Sequence, residues 1–347
     1  MRKIKRMLAL VMVLSLFALP SAMAEEEKVL NLLTWDGYID AECIAGFTEE
    51  TGVKVNFLPM AGNDEMLLKL QQNGGNEYDV VVASDYALNI LRKAGLIQKL
   101  DKASLTNYGN LDPAYLSQFY DLENEYVVPY TAGTPLIVYD PAIVTVDIQG
   151  YADLWDPSLA DSIAIMDDAR NVIGITLKTL GYSFNVTDPA ILAQAKEKLM
   201  GLYPNIRVFD YDNAYTAVIS GEATVGYMFS NQVYWALAER PDLKVVYPKE
   251  GMGFGIDGAV IPSNAPHPGN ANLFLNYLLR ADVAAHNAEA QLYMNPNKAA
   301  NELLSPEYLN NPALYIPSET LGETEFIQDV GDMETTYQEI YNEFKLQ

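Results

Sequence analysis

Near its start the chain carries the stretch Val29-Leu-Asn-Leu-Leu-Thr-Trp-Asp-Gly-Tyr38, an apolar run that ends in aromatic and acidic residues. A continuous apolar run of this length is typical of a strand that is buried on both faces of a parallel sheet. In open α/β sheets, ligands bind just beyond the carboxyl ends of such strands. The stretch therefore predicts a small-molecule site to which Trp35, Asp36 and Tyr38 contribute.

The residues that follow alternate between predicted helices and predicted strands. Helices are expected over residues 41–51 and 63–72, with Asn63 as a cap, and strands over 53–57 and 78–83. This alternation predicts parallel βαβ units. A second series begins at Leu136, after an extended segment (127–135) with two prolines. A glycine-rich loop is expected over 248–255, and a second crossing between two lobes over 257–261.

The start of the chain has the pattern of an export signal. Four basic residues precede an apolar segment that is too short to span a bilayer, and Ala22-Met23-Ala24 suits a signal peptidase. We expect residues 1–24 to be a signal peptide that is cleaved after Ala24, and the mature protein to be periplasmic or extracellular.

The charge balance excludes some partners. The formal net charge is −24, and it becomes −28 when the signal is removed, because four basic and no acidic residues are lost. Nucleic acids and anionic lipids bind basic patches, so neither is an expected partner. A cationic ligand is compatible with this charge, although most of the carboxylates are expected to be solvated surface.

The chain holds one cysteine and two histidines, which limits nucleophilic and metal chemistry. Cys43 is expected to be a small buried residue rather than a reactive thiol. His267 and His286 are expected at the surface, so neither a metal site nor a cofactor is predicted. The segment Gly253-Phe-Gly-Ile-Asp-Gly258 matches a dinucleotide fingerprint in form, but a predicted strand follows it instead of the required helix.

Polar or aromatic residues follow four predicted strands, two in each half of the fold. They are Trp35, Asp36 and Tyr38; Ser84, Asp85 and Tyr86; Asp167 and Asp168; and Phe229, Asn231 and Gln232. Carboxylates pair with ammonium groups, and aromatic faces attract cations and cover methylenes. Together the four ends predict an amine-binding cleft. The alternative, in which Asp85 and Asp167 only cap the helices that follow them, remains open.

Several segments resemble the spermidine/putrescine-binding proteins of ABC transporters, in the same order and over nearly the whole mature region. They are Leu33-Thr-Trp-Asp-Gly-Tyr38, Phe47-Thr-Glu-Glu-Thr-Gly-Val-Lys-Val55, Tyr78-Asp-Val-Val-Val82, Asp167-Asp-Ala-Arg170, Tyr247-Pro-Lys-Glu-Gly251 and Leu275-Asn-Tyr-Leu-Leu-Arg280. The resemblance implies an α/β, two-lobed type II periplasmic binding protein fold with a ligand cleft between the lobes. The expected boundaries are 25–133 plus 256–303 for the first lobe and 134–255 plus 304–347 for the second.

The resemblance also implies roles for individual residues. Trp35, Tyr38, Ser84, Tyr86 and Tyr293 would line the amine site, and Asp168 and Asp257 would bind ammonium groups. The sequence departs from the family pattern at four positions where carboxylates, larger aromatic rings or an amide often stand; they hold Asn171, Phe229, Gly255 and Ile327. Asp36 is shifted relative to the acidic residue that usually precedes Tyr38.

These departures predict a short ligand. Fewer carboxylates neutralise fewer ammonium groups, and a buried unpaired charge is costly, so a triamine suffers more than a diamine. We expect putrescine to be preferred and spermidine to come second, with delivery to a membrane permease by a monomeric, non-enzymatic protein. Another small cationic or zwitterionic solute, or a sensor function, remains an alternative. A glycosidase that uses Asp167 and Asp168 is disfavoured, because adjacent carboxylates point in different directions.

Overall fold

The structure, a computed structural model, describes residues 27–316, Thr320 and residues 324–347. The predicted signal peptide lies outside the described residues. Within them the strands are β1 Val29–Thr34, β2 Lys54–Pro59, β3 Val80–Ser84, β4 Val128–Gly133, β5 Pro135–Tyr139, β6 Ile163–Ile165, β7 Ile206–Phe209, β8 Val225–Phe229, β9 Lys244–Val246, β10 Gly253–Val260 and β11 Glu325–Phe326.

The helices lie between and around these strands. They are α1 Ala41–Thr51, α2 Asn63–Asn73, α3 Asp85–Lys93, α4 Ala169–Thr179, α5 Pro189–Met200, α6 Ala214–Ser220, α7 Ser230–Glu239, α8 Pro268–Leu278, α9 Ala281–Gln291, α10 Pro306–Leu309 and α11 Glu334–Lys345. No helix in the described ranges is both long and apolar enough to cross a membrane.

The strands form two sheets, and we call each sheet with its helices a lobe. The first sheet has the order β11-β10-β3-β1-β2, and β4 pairs with β10. In the second sheet the order is β7-β6-β8-β5-β9. The prediction of an α/β fold is confirmed. The expectation of purely parallel units was incomplete, because β10 runs antiparallel to β3 and β4, and β5 runs antiparallel to β8.

The predicted buried strand is β1, which lies in the middle of the first sheet. Leu30, Leu32, Leu33 and Thr34 have no exposed surface, since β1 pairs with β2 and β3 along its edges and helices cover both faces. Helix α1 follows and ends at Gly52, whose φ of 71° suits a residue without a side chain. The chain thus leaves the carboxyl end of β1 through residues 35–40.

The two lobes are joined by chain segments that cross from one sheet to the other. Strand β4 of the first sheet passes into β5 of the second through Thr134, and the chain returns through β10. Thr134 is fully buried, and its Oγ1 donates a hydrogen bond to the backbone oxygen of Gly253 at 2.6 Å. This bond ties the two crossing segments together.

Two local predictions were wrong. Asn63 does not cap α2: Gly62 holds the cap position without a side-chain bond, and the Asn63 amide binds Ser84 instead. The predicted loop over 248–255 ends three residues early, because Gly253 already belongs to β10 and pairs with Glu325 of β11. That partner is 72 residues away along the chain, which is why local sequence did not reveal the strand.

Candidate functional site

The first lobe contributes the ends of three neighbouring strands. Residues 35–38 follow β1, and Ser84 ends β3, which is paired with β1. Asp257 of β10 lies opposite Ser84 on one side and opposite Thr131 of β4 on the other. The mixed sheet therefore places an acidic residue from late in the chain beside residues from its first third.

Tyr38 is the centre of this group. Its hydroxyl donates a short hydrogen bond to Asp257 and lies 2.7 Å from Thr131 Oγ1. Its ring centroid is 5.0 Å from that of Trp35 and 6.2 Å from that of Tyr293, both in edge-on contacts. Burial, and next the negative charge of Asp257, raise the pKa of Tyr38 well above its usual value, so the phenol remains a donor.

Asp257 is a carboxylate that the protein has largely removed from water. Burial raises the pKa of Asp257, while hydrogen bonds from Tyr38 and Ser84 act in the opposite direction. Within residues 27–316 and 324–347, neither Asp257 nor Asp85 forms an ion pair with Lys, Arg or His. A desolvated carboxylate without a basic partner is suited to a cation from outside.

The residues that follow β3 have different surroundings. Ser84 is half-buried and bonded to Asn63, and Tyr86 is a half-buried ring at the start of α3. Asp85 is buried, and its Oδ2 accepts a hydrogen bond from the backbone of Ile256 at 3.0 Å. Asp85 therefore supports β10 directly beside Asp257, and a Cβ placed on Gly255 would lie 3.9 Å from its Oδ2.

The second lobe contributes residues at the ends of β6 and β8, which are parallel neighbours. Asp168 caps α4 and accepts hydrogen bonds from the backbone and side-chain amides of Asn171, at 2.7 and 2.9 Å. Phe229 ends β8, and its ring lies 5.6 Å from that of Tyr211. Burial raises the pKa of Tyr211, and Asp168 and, more weakly, Asp257 add to the shift, so the phenol lies within the fields of carboxylates from both lobes.

Helix α7 continues this side of the site and reaches the first lobe. The side-chain amide of Gln232 donates to the backbone oxygen of Tyr211 at 2.8 Å, and its buried Oε1 has no hydrogen-bond partner among the described residues. The Asn231 amide donates to the hydroxyl of Tyr293 at 3.3 Å. This contact joins the two lobes across the site.

The structure also shows the surroundings of three further residues, Asp36, Asp167 and His267. Asp36 is exposed, and its side chain makes no hydrogen bond or ion pair with any residue in the described ranges. Asp167 does not cap α4; Tyr341 and Lys345 of α11 donate hydrogen bonds to its carboxylate. His267 is largely buried rather than a surface residue, with its Nδ1 3.0 Å from the buried Asp79.

Sequence reasoning missed Thr131, Tyr130 and Tyr211. Thr131 and Tyr130 lie in the extended segment that was predicted only to cross between the lobes. Thr131 contacts the hydroxyl of Tyr38, and the hydroxyl of Tyr130 donates to the backbone oxygen of Tyr38 at 2.9 Å. Tyr211 lies between Asp210 and Asp212, and its ring contacts that of Phe229. An aromatic residue between two aspartates was the signal in the sequence that could have identified Tyr211.

The family model for bacterial extracellular solute-binding proteins matches residues 42–316. The chain belongs to this family. Its members are binding proteins of transporters rather than enzymes. The glycines at 253–258 lie within strand β10.

Curated relatives and solved structures resemble this solute-binding protein over most of its length. The spermidine/putrescine-binding periplasmic protein of Salmonella typhimurium is 40% identical over 94% of both chains. The putrescine-binding periplasmic protein PotF of Escherichia coli is 31% identical, over 86% of this chain and 85% of the relative. The spermidine/putrescine ABC transporter substrate-binding protein of Streptococcus pneumoniae superposes with a TM-score of 0.82 at 33% identity, over 92% of this chain and 98% of that structure. The two-lobed periplasmic binding protein fold is thereby confirmed.

Proposed function

We propose that this protein captures a polyamine between its two lobes and delivers it to the permease of an ABC transporter. The observation that carries the proposal is the carboxylate of Asp257, which is desolvated, held by Tyr38 and Ser84, and left without a basic partner in the described residues. The names of the relatives point to the same ligand class.

The geometry suggests how an ammonium group would be held. The donors Tyr38 and Ser84 favour the ionised form of Asp257, and an ammonium would complete the charge pair with hydrogen bonds worth about 1.5–3 kcal/mol each. The rings of Trp35, Tyr38 and Tyr293 would cover the methylenes and add cation–π attraction. Asp168, on the opposite lobe, would bind the second ammonium.

We infer a preference for putrescine over spermidine. Asn171 is neutral and its amide is already bonded to Asp168, so this corner of the site offers one carboxylate where family members often have two. Gly255 leaves open space beside Asp85 in place of a bulky ring. A third ammonium group would therefore lack both a charge partner and an aromatic wall. Another small cationic or zwitterionic ligand is the second candidate, because the carboxylates and rings would also suit it.

The proposed binding residues extend over both lobes. They are Trp35, Asp36, Tyr38, Ser84, Asp85, Tyr86, Asp168, Phe229, Gln232, Asp257 and Tyr293. Asp36 and Asp85 would act indirectly, since one is exposed and the other is bonded to β10. The proposed lobe boundaries are 25–133 plus 256–303 and 134–255 plus 304–347. They assign residues 253–255 and 325–326 to the second lobe, although these residues belong to β10 and β11 of the first sheet.

The remaining parts of the proposal concern the protein as a whole. We propose a monomer without catalytic activity, exported with cleavage after Ala24 and working in the periplasm or outside the cell. A sensor that presents the same ligand to a receptor would use the same site, and a permease and an ATPase encoded beside the gene would favour transport.

Calorimetric titration of the mature protein tests the ligand class and the preference. We expect putrescine to bind more tightly than spermidine, and Asp257→Asn to weaken putrescine binding at least about tenfold, or 1.4 kcal/mol, because the ammonium loses its charge partner. Glu123→Gln, at an exposed position, is the control and should bind like the parent. No heat with any polyamine, or an unchanged affinity in Asp257→Asn, would reject the proposed site.

A further inference from the structure

A cluster of three metal-ligating side chains lies at the start of α1. Asp40, Cys43 and His286 offer a carboxylate oxygen, a sulfur and a ring nitrogen, and these atoms lie within 4.8 Å of one another. It is the one group of at least three such residues found in the described ranges. Carboxylate, thiolate and imidazole are the ligands that Zn²⁺ uses in proteins.

Two helices hold the cluster in place. Asp40 caps α1 by accepting a hydrogen bond from Glu42 N at 2.8 Å, and its own backbone N–H donates to Asn287 Oδ1 of α9 at 3.0 Å. Cys43 follows Asp40 by three positions and therefore lies on the same face of α1. His286 precedes Asn287 on α9. The backbones that carry the three ligands are thus fixed relative to one another before any ion binds.

The distances are close to those of a bound ion. His286 Nε2 lies 2.9 Å from Asp40 Oδ1 and 3.8 Å from Glu42 Oε2. Bonds of about 2.0–2.3 Å to a tetrahedral zinc place neighbouring ligand atoms roughly 3.3–3.8 Å apart. The Asp40 oxygen and the His286 nitrogen would have to separate by less than about 1 Å to reach this spacing. The Glu42 side chain is 85% exposed, so it is free to turn and supply a fourth ligand.

The electrostatics of the cluster favour a dication. The carboxylates of Asp40 and Glu42 place two negative charges beside the ring of His286. The same carboxylates would stabilise a doubly charged cation at this position. A metal ion displaces the proton of a thiol ligand, so Cys43 would bind as a thiolate.

We propose that Asp40, Cys43 and His286 form a binding site for Zn²⁺ or a similar borderline-soft divalent ion, completed by Glu42 or a water molecule. The site lies on the first lobe, between α1 and α9. None of its residues is assigned to polyamine binding, so metal binding can be tested independently of the proposed transport function.

Cobalt binding provides a direct test, because Co²⁺ reports its ligands spectroscopically. The reduced, untagged mature protein is freed of metal with a chelator and titrated with Co²⁺. The chain has a single cysteine, so a thiolate-to-cobalt charge-transfer band can arise only from Cys43. We expect this band to reach its full intensity at one equivalent of Co²⁺ and to disappear when Zn²⁺ displaces the Co²⁺. The band should be absent in Cys43→Ser, and His286→Gln should bind Co²⁺ at least tenfold more weakly.

His267→Gln removes the other histidine and is the matched control; it should bind Co²⁺ like the parent. Absence of the charge-transfer band in the parent protein would overturn the proposal. So would an unchanged affinity in His286→Gln, because binding would then not involve the cluster. If Cys43→Ser fails to fold, the parent spectrum and His286→Gln decide the question alone.

Discussion

At the scale of single residues, Asp85 is a buried acidic residue that has no ion-pair partner in the described ranges. Its side chain sits under β10 and accepts one hydrogen bond from Ile256 N. Burial raises the pKa of Asp85 to about 7; the bond from Ile256 opposes the shift, and Asp257 adds to it. The carboxyl group therefore changes its charge near neutral pH.

The raised pKa of Asp85 predicts a specific pH dependence of stability. Between about pH 4 and 7 the folded protein keeps a proton that the unfolded chain has lost, so this group makes the protein less stable as the pH rises. Asp85→Asn removes the titration. Its free energy of unfolding, relative to the parent, should improve by roughly 1–4 kcal/mol between pH 4 and 7.5 in urea titrations.

Asp36→Asn serves as the control for this experiment, because Asp36 is exposed. Its stability profile should run parallel to that of the parent. A parallel profile for Asp85→Asn as well would mean that Asp85 is ionised throughout this pH range.

At the scale of elements, α11 illustrates how a helix at the end of the chain is held by its apolar face. Tyr337, Ile340, Tyr341 and Phe344 of this helix are buried, and the helix packs on α4 and α5 of the second lobe. Val330, Tyr337, Ile340 and Phe344 recur at helical spacing in the sequence, and all four are buried. The carboxylates of the helix remain partly or fully exposed.

Phe344 should carry much of this packing energy. Its ring is fully buried, with edge-on contacts to Phe209 at 5.6 Å and Tyr203 at 5.9 Å between centroids. Phe344→Ala leaves a cavity, and we expect it to lower the free energy of unfolding by about 3–5 kcal/mol in urea titrations. Leu346→Ala, at an 85% exposed position, should change stability by less than about 0.5 kcal/mol. Equal losses in the two variants would contradict the packing.

At the scale of the whole molecule, the site is divided between two lobes that are connected by crossing segments. Asp257, Tyr38 and Tyr293 belong to the first lobe and Asp168 to the second. A ligand that contacts both groups stabilises the closed arrangement more than the open one, which shifts the population towards closure. The bond between Thr134 and Gly253 lies at the crossings, where such a motion would bend the chain.

Closure should be visible in solution scattering. We expect saturating putrescine to lower the radius of gyration of the mature protein by a few per cent, from a value of about 20 Å for a compact chain of this length. Asp257→Asn, at putrescine concentrations that saturate the parent alone, should keep the larger radius. Putrescine binding by calorimetry without any change in scattering would show that the lobes do not close.

Local sequence patterns encode the order of the elements and the class of the fold. The apolar run at Val29–Thr34, the glycine that ends α1 and the amphipathic pattern of α11 are local signals, because each depends on residues within a few turns of one another. The resemblance of whole segments to one family supplied the two-lobed architecture. These are properties that neighbours in sequence can encode.

Which side chains lie together depends on the tertiary structure, because the residues involved are far apart along the chain. Asp257 contacts Tyr38, which is 219 positions away along the chain, and Asp167 contacts Lys345, which is 178 positions away. Asp40, Cys43 and His286 come from the start of α1 and from α9. Such pairings depend on strand order, register and helix packing, which no local pattern records. The surroundings of each carboxylate then decide how easily it ionises. Asp85 and Asp36 both follow a strand in the sequence, yet Asp85 is buried under β10 and Asp36 is exposed to water.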